Sequence, residues 1–324
     1  MHPRTLLYTV NEPNARSLHT RPVPTTGGIA ILTAFILSTT IAILFYRSFL
    51  YLIGWIEVSM LLIAVISLLD DYRHIPALYR LIVHFLAAYL SLAVTHFWIT
   101  QFTLPCWTWV LPLSVQGVVS LFFVVWMVNL YNFMDGMDGF AGGMAFFGFG
   151  SFAILGGLAD QTFFMTVNLI LASASAGFLV FNFPPAKIFM GDIGASSLGF
   201  LAAIFTLWGN QEGIFSLWTA LLIFSPFIVD ATLTLFRRLL HGEKIWLAHR
   251  SHYYQRIVQL GWGHQRTVMW EYGLMATCSG SALMGHFLSC SGQFYLLIGW
   301  IMIYGLLTRV VIKMEQHAQH CSAP

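Results

Sequence analysis

Charge is scarce in this 324-residue chain: Asp, Glu, Lys and Arg together make up 9% of it, against 58% hydrophobic residues. Soluble domains carry roughly 25% charged residues. So apolar a chain cannot be buried in a water-soluble core, and takes lipid as its solvent. Polar linkers are missing too. Apolar runs recur from Gly27 to Ile312 without a long hydrophilic break, which speaks for a single membrane domain over 1–324. No basic block is present and the net charge is only +2, which excludes nucleic acid as a partner. Cysteine is rare: Cys106, Cys278, Cys290 and Cys321 show no CxxC or other paired metal spacing. Cys106 and Cys290 fall on the same expected outer side, so a bridge between them is open, but free thiols packed as small hydrophobes are the expectation. Residues 1–26 have three arginines and no long apolar core, and resemble neither a signal peptide nor a spanning helix.

What is present is a series of runs long enough to cross the hydrocarbon as helices, about 20 residues each. They lie at 27–47, 49–69, 78–97, 112–131, 139–158, 162–181, 194–209, 214–235, 268–288 and 293–312. The fold class is therefore all-α: a polytopic membrane protein of about ten spans. The run 194–209 is short and glycine-bearing, so it is expected to be tilted or broken. With the amino terminus inside, 1–26 and the His/Arg loop 236–267 are cytoplasmic. Of the 15 Lys and Arg residues only Arg47 then falls outside, an asymmetry that sets the orientation. The acidic motifs land on the same inner face, so that face carries the active site.

Four segments there carry chemistry. Asp70 and Asp71 end a span; adjacent carboxylates repel unless a divalent cation or nearby arginines relieve them, though a hydrophilic helix stop would read the same. Asn132-Phe-Met-Asp135-Gly-Met-Asp138-Gly139 puts two carboxylates, each followed by glycine, in a turn between spans where neutral residues would cost less. Asn182-Phe-Pro-Pro-Ala-Lys187-Ile-Phe-Met-Gly-Asp192 stops one helix at its prolines and starts another at Asp192. Asp192 there suits a helix cap, a Mg²⁺ ligand, or both, and Lys187 suits phosphate. His249-Arg250-Ser-His252-Tyr-Tyr-Gln-Arg256 clusters cationic and hydrogen-bonding groups fit for a pyrophosphate. Its two histidines have zinc-like spacing but no third or fourth ligand. Arg21, before Gly27-Gly28, adds a cation. Glu57 and Asp230 are intramembrane carboxylates without a partner nameable from sequence.

Together the segments HTRPVPTTGG (19–28), DD (70–71), NFMDGMDG (132–139), NFPPAKIFMGD (182–192) and AHRSHYYQR (248–256) resemble, in order, the polyprenyl-phosphate N-acetylhexosamine-1-phosphate transferase superfamily of glycosyltransferase family 4 type. The last segment departs from the HIHH or HHH form and looks more like the branch that initiates O-antigen and related surface glycans. The resemblance implies transfer of an N-acetylhexosamine 1-phosphate from a UDP-sugar to undecaprenyl phosphate in a bacterial inner membrane, with UMP released. It implies Mg²⁺ (or Mn²⁺ in its place) on Asp192, Asp70 as candidate base with Asp71 beside it, and Asp135 and Asp138 supporting the metal and substrate network. Asn132 and Asn182 would orient nucleotide or phosphate, and His249, Arg250 and His252 would hold the phosphates. A homodimer would be in keeping with the family. Members of the branch commonly carry a further helix before the HTRP segment; here 18 residues precede His19, so either ten spans or a start placed too far downstream is expected. A phospho-N-acetylmuramoyl-pentapeptide transferase is the alternative within the class. A secondary transporter would instead place acids near mid-membrane in paired halves.

Overall fold

The computed structural model describes residues 10–11, 23–73, 75–243 and 249–322, and side chains within 23–73, 75–243 and 249–318. After a short pair of strands, β1 (Val10–Asn11) and β2 (Val23–Pro24), the chain is helical. The helices are α1 (Gly27–Phe45), α2 (Leu50–Arg73), α3 (Ala77–Thr95), α4 (Leu113–Phe133), α5 (Phe140–Leu158) and α6 (Thr162–Asn182). They continue as α7 (Gly191–Gln211), α8 (Leu217–Ile223), α9 (Ser225–Leu240), α10 (Tyr253–Ile257), α11 (Gly263–Gly285) and α12 (Cys290–Ser322). Among the described residues, α1 to α7 and α12 are each long and apolar enough to cross a membrane, which makes this a multi-pass membrane protein. With α8–α9 as a bent pair and the 23-residue but more polar α11, every expected span has a helical counterpart.

Two spans differ from expectation. The run 194–209 is neither short nor broken: α7 is a continuous 21-residue helix, buried along nearly its whole length. Its glycines serve packing, not breakage. A Cβ on Gly194 would stand 2.7 Å from the Cα of Gly28, so α1 and α7 touch backbone to backbone. The run 214–235 is not one straight helix: α8 and α9 meet at Phe224 with an 81° bend. Pro226, at the start of α9, cannot donate the bond a continuous helix needs there. Ser225 Oγ donates to the carbonyl of Leu222 at 2.7 Å and satisfies one freed acceptor.

The segment 236–267 is likewise less of a loop than expected. α9 runs on to Leu240, α10 occupies 253–257, and a π turn at 258–262 leads into α11. Between α3 and α4 the chain forms an antiparallel hairpin, β3 (Gln101–Leu104) and β4 (Trp107–Val110). Its alternating aromatic and β-branched residues suit strands, and Pro105 followed by Cys106 at φ 63° suits the turn. The free-thiol expectation for Cys106 and Cys290 is overturned: they form a disulfide, Cα–Cα 5.3 Å, joining the hairpin to the start of α12. Cys278 is a buried free thiol.

Candidate active site

The site is assembled where α2 ends, α3 begins, α4 turns into α5, and α6 hands over to α7. Asp70, on the last turn of α2, accepts from the backbone N–H of Ile75 at 2.6 Å and from Arg80 Nη1 at 2.6 Å. Arg80, one turn into α3, also stands 3.5 Å from Asp192 Oδ2 at the start of α7. One guanidinium therefore bridges two carboxylates from segments far apart in sequence. Asn132, at the end of α4, hydrogen-bonds the Asp192 carboxylate from the other side. Asp71 Oδ2 is buried without a hydrogen-bond partner among the described residues, and faces the Cβ position of Gly191 at 3.6 Å.

α7 begins where it does because the chain is stitched to α1. The N–H groups of Gly27 and Gly28, orphans of the first turn of α1, donate to the carbonyls of Phe189 and Met190, each at 2.9 Å. The start of α7, and Asp192 with it, is thus fixed to the start of α1.

The turn between α4 and α5 supplies Asp135 and Asp138. Burial, then the charges of Asp192, Asp138 and Asp71, push the Asp135 carboxyl well above the ordinary carboxylate range. Its carboxylate therefore shares one electrostatic site with the other three. Asp138 is anchored: Oδ2 accepts from the backbone N–H of Ala186 at 3.0 Å, and Oδ1 lies 3.2 Å from His264 Nδ1, on the first turn of α11. Asn182 ties the same elements together, accepting from Gly139 N–H at 2.9 Å and donating to the carbonyl of Ile188 at 2.8 Å. Both ends of its amide are thus engaged in scaffolding. Gly139, at φ 76°, makes the turn that starts α5 and presents its carbonyl to Tyr272 Oη at 2.8 Å.

The late histidine segment packs against α9. Asp230 receives the backbone N–H groups of Tyr253 (2.9 Å) and Tyr254 (3.0 Å), and lies 3.3 Å from His252 Nδ1. It is the anion at the first turn of α10, which supplies the partner that sequence alone leaves unnamed. His249 stacks near His252, ring centroids 4.7 Å apart, and its Nδ1 meets Ser251 Oγ at 2.8 Å. Tyr254, fully buried, crowds Gly136, and its hydroxyl reaches the carbonyl of Phe133 at 3.4 Å. Burial, then the charges of Asp230 and Asp135, push that phenol well above its usual range. Arg256 pairs with Glu315 of α12 and lies over the Tyr253 ring. Glu57, the other intramembrane carboxylate, accepts from Thr39 Oγ1 at 2.5 Å, well inside the bundle.

Asp70, Asp71, Asn132, Asp135, Asp138 and Asp192 come together, and Asn182 frames them. His249, Arg250 and His252 follow as a half-buried to buried segment linked to the acidic turn through Tyr254. Lys187 is exposed on the loop beside Ala186. Arg21 lies outside the described residues. Sequence reasoning missed Arg80 and His264. The first sits ten residues after Asp70, one α-hairpin away, and a basic residue there was readable as its neutraliser. The second pairs with an aspartate 126 positions away, and no local pattern announces it. All the cluster's donors are hard oxygens, the set that Mg²⁺ takes, and Asp71 Oδ2 is one such donor without a hydrogen-bond partner among the described residues. Among the described residues no three such side chains already converge on one point.

These helices and this acidic face define a polytopic membrane protein built around carboxylates at helix ends. The family profile described as Glycosyl transferase family 4 matches residues 52–210, from α2 through α7. The matched stretch carries the three acidic segments of the site. The chain is 27% identical over 278 residues to a probable undecaprenyl-phosphate N-acetylglucosaminyl 1-phosphate transferase of Bacillus subtilis, covering 85% of this chain and 76% of the relative. It is 28% identical over 332 residues (93% and 83%) to a decaprenyl-phosphate N-acetylglucosaminephosphotransferase of Mycobacterium leprae. It is also 29% identical over 281 residues (79% and 84%) to a phospho-N-acetylmuramoyl-pentapeptide-transferase of Staphylococcus epidermidis.

Proposed function

We propose that the protein transfers an N-acetylhexosamine 1-phosphate from a UDP-sugar to a polyprenyl phosphate such as undecaprenyl phosphate, using Mg²⁺ (or Mn²⁺) and releasing UMP, at the cytoplasmic face of a bacterial inner membrane. The product would start an O-antigen or related surface glycan. The observation that carries this reading is the gathering of five aspartates from three separate segments, two of them joined by Arg80, at the ends of membrane helices. Phosphoryl transfer calls for charge neutralisation and in-line positioning more than for covalent help from protein.

In this reading an oxygen of the lipid phosphate attacks the β-phosphorus of the UDP-sugar. The bond to the bridging oxygen breaks, and UMP leaves with that electron pair. Asp192, Asp71 and Asp135 would hold the cation, which when bound neutralises the diphosphate oxygens. Asp70, bonded to Arg80 and to Ile75 N–H, acts by position: a phosphate monoester with a second pKa near ~6 is already mostly ionised at neutral pH. Asn132 orients Asp192, and Asn182 keeps the two loops in register. His249, Arg250 and Lys187 would hold the phosphates.

The acceptor's tail has a place as well. A groove of about 670 Å³ lies between α9, α11 and α12, walled by Val229, Leu233, Trp270, Leu274, Trp300 and Leu307. Asp230 and Tyr253, which also line it, lead back to the histidine segment. Such a surface suits a long isoprenoid chain whose phosphate reaches the acidic cluster. Orientation is supported by the basic residues, by Arg47 as their exception, and by the disulfide, which lies at the other end of α3 and α4 from Asp70 and Asp135.

The relative from Staphylococcus epidermidis favours a second reading, in which the donor is a UDP-N-acetylmuramoyl-pentapeptide. One experiment tests both. Purified protein in detergent is given undecaprenyl phosphate, Mg²⁺ and a panel of UDP-N-acetylhexosamines plus the muramoyl pentapeptide, with UMP release followed and Asp192→Asn run alongside. Lipid- and Mg²⁺-dependent release, lost in the variant, supports the transferase and names its donor. A folded wild type that releases no UMP from any donor overturns it.

A further inference from the structure

One ring nitrogen at the edge of the acidic cluster has no role in the scheme so far. His264 is 18% exposed, and its Nδ1 lies against Asp138 Oδ1 at 3.2 Å. A ring nitrogen facing a carboxylate carries hydrogen, so this contact fixes the plane of the ring, and Nε2 donates as well when the ring is an imidazolium. Its other nitrogen, Nε2, is buried and meets no hydrogen-bond partner among the described residues. Leaving such a group unmet is costly, so a buried polar atom beside an active-site carboxylate is a candidate place for a ligand.

The surroundings narrow the ligand. The Asp138 that grips His264 also binds the N–H of Ala186, next to Lys187, and its charge acts on Asp135. His264 therefore borders both the carboxylate cluster and the loop that carries Lys187. Gly261 (φ 92°) and Gly263 (φ 70°) bend the chain between α10 and α11 and set His264 on the first turn of α11. Asp138 and Asn182 tie the acidic turn to the loop after α6 at several points. The ring is thus held by a carboxylate that is itself anchored to the loop after α6.

We propose that His264 is a further substrate-binding residue, its ring an imidazolium whose Nε2–H donates to a phosphate oxygen while Asp138 takes Nδ1–H and orients the ring. The proposal rests on the transferase reading above. The phosphate belongs either to the sugar nucleotide or to the lipid acceptor, and the two arms of the test tell them apart.

The experiment measures KM for the UDP-sugar and for polyprenyl phosphate, separately, with wild type, His264→Ala and His264→Gln. Ligand-free melting temperatures in detergent are recorded for each. Losing one hydrogen bond to a charged group raises the KM of the substrate concerned about ten- to a hundredfold in His264→Ala. The Gln amide nitrogen, placed near the lost Nε2, restores most of it. A rise in one KM supports the proposal and names the source of the phosphate. KM values within twofold of wild type for both substrates overturn it, as does a change confined to kcat and melting temperature with no rescue by Gln. If His264→Ala does not fold, His264→Leu, which keeps the bulk without the nitrogen, takes its place under the same criteria. A wild type without UMP release sinks the transferase reading and this one with it; an active wild type with an unaltered variant sinks this one alone.

Discussion

Removing Arg80 should weaken catalysis and at the same time tighten the divalent cation, two effects that a merely structural residue would not combine. Arg80 Nη1 lies 2.6 Å from Asp70 Oδ2 and 3.5 Å from Asp192 Oδ2. A Mg²⁺ bound to that Asp192 oxygen at about 2.1 Å would stand within about 5.6 Å of the guanidinium nitrogen. At that distance a +2 and a +1 charge repel by about 1.5 kcal/mol even at the dielectric constant of water, and by more in this half-buried site. Arg80→Ala should therefore lower the half-saturating Mg²⁺ concentration about tenfold. Meanwhile Asp70 loses its charge-assisted bond and the diphosphate loses a fixed cation, which should reduce kcat roughly 10²- to 10³-fold. Arg80→Lys keeps the charge but not the bridge, and should restore the Mg²⁺ requirement while recovering only part of kcat. The assay is UMP release in detergent across a Mg²⁺ titration at pH 8. A half-saturating concentration in Arg80→Ala equal to or above that of the wild type would refute the reasoning, as would a Lys variant indistinguishable from Ala.

Three further outcomes are open to measurement. The raised Asp135 carboxyl favours its protonated form in the folded state, a contribution fully present below the unfolded pKa near ~3.9 and lost as pH rises through the folded value; Asp135→Asn in EDTA should thus melt above wild type at pH 8, with the gap closing toward pH 4, while transfer is lost, and no gap at pH 8 would contradict the assignment. The Cys106–Cys290 bond closes a separation of 184 residues, worth at most about 5 kcal/mol on chain entropy. Because helices in a micelle stay partly formed, Cys290→Ser should lower the melting temperature by roughly 5 °C and leave activity at 25 °C, and an unchanged melting curve would show that the bond stabilises nothing. Filling the groove with Leu274→Trp should raise KM for a long polyprenyl phosphate several-fold and leave a short farnesyl phosphate unaffected; equal effects on both would remove the groove from the acceptor's path.

The apolar runs made the bundle legible, because a membrane helix declares itself by length and composition alone. The acidic motifs were legible for a related reason: Asp70 with Asp71, and Asp135 with Asp138, are neighbours in sequence before they are neighbours in space. The break at Pro226 was present in the residues but hidden inside an uninterrupted apolar stretch, where hydropathy outweighs one proline. The disulfide was open but disfavoured, since nothing local says that a hairpin turn and a helix start will meet. Asn182 carried the right address with a different occupation: its amide is spent on Gly139 and Ile188, holding the loops that hold the aspartates. Tyr254 and Gln255, within the segment that departs from HIHH, are used for packing and capping. Tyr254 fills the space over Gly136, and Gln255 accepts from His252 N–H.

The pairing of Asp70 with Arg80 also bears on the order in which the site can be made. Its two residues lie ten apart, within one helical hairpin, so that contact is available as soon as α2 and α3 have been synthesised. The bond from Arg80 to Asp192 spans 112 residues and must wait for α7. Through the synthesis of α4, α5 and α6, therefore, one of the two adjacent carboxylates already has its counter-ion, while Asp71 waits for the segment around Gly191. The nascent chain thus carries one of its site carboxylates neutralised by a partner made moments later, and the bridge to Asp192 forms only when the seventh helix comes in beside the first.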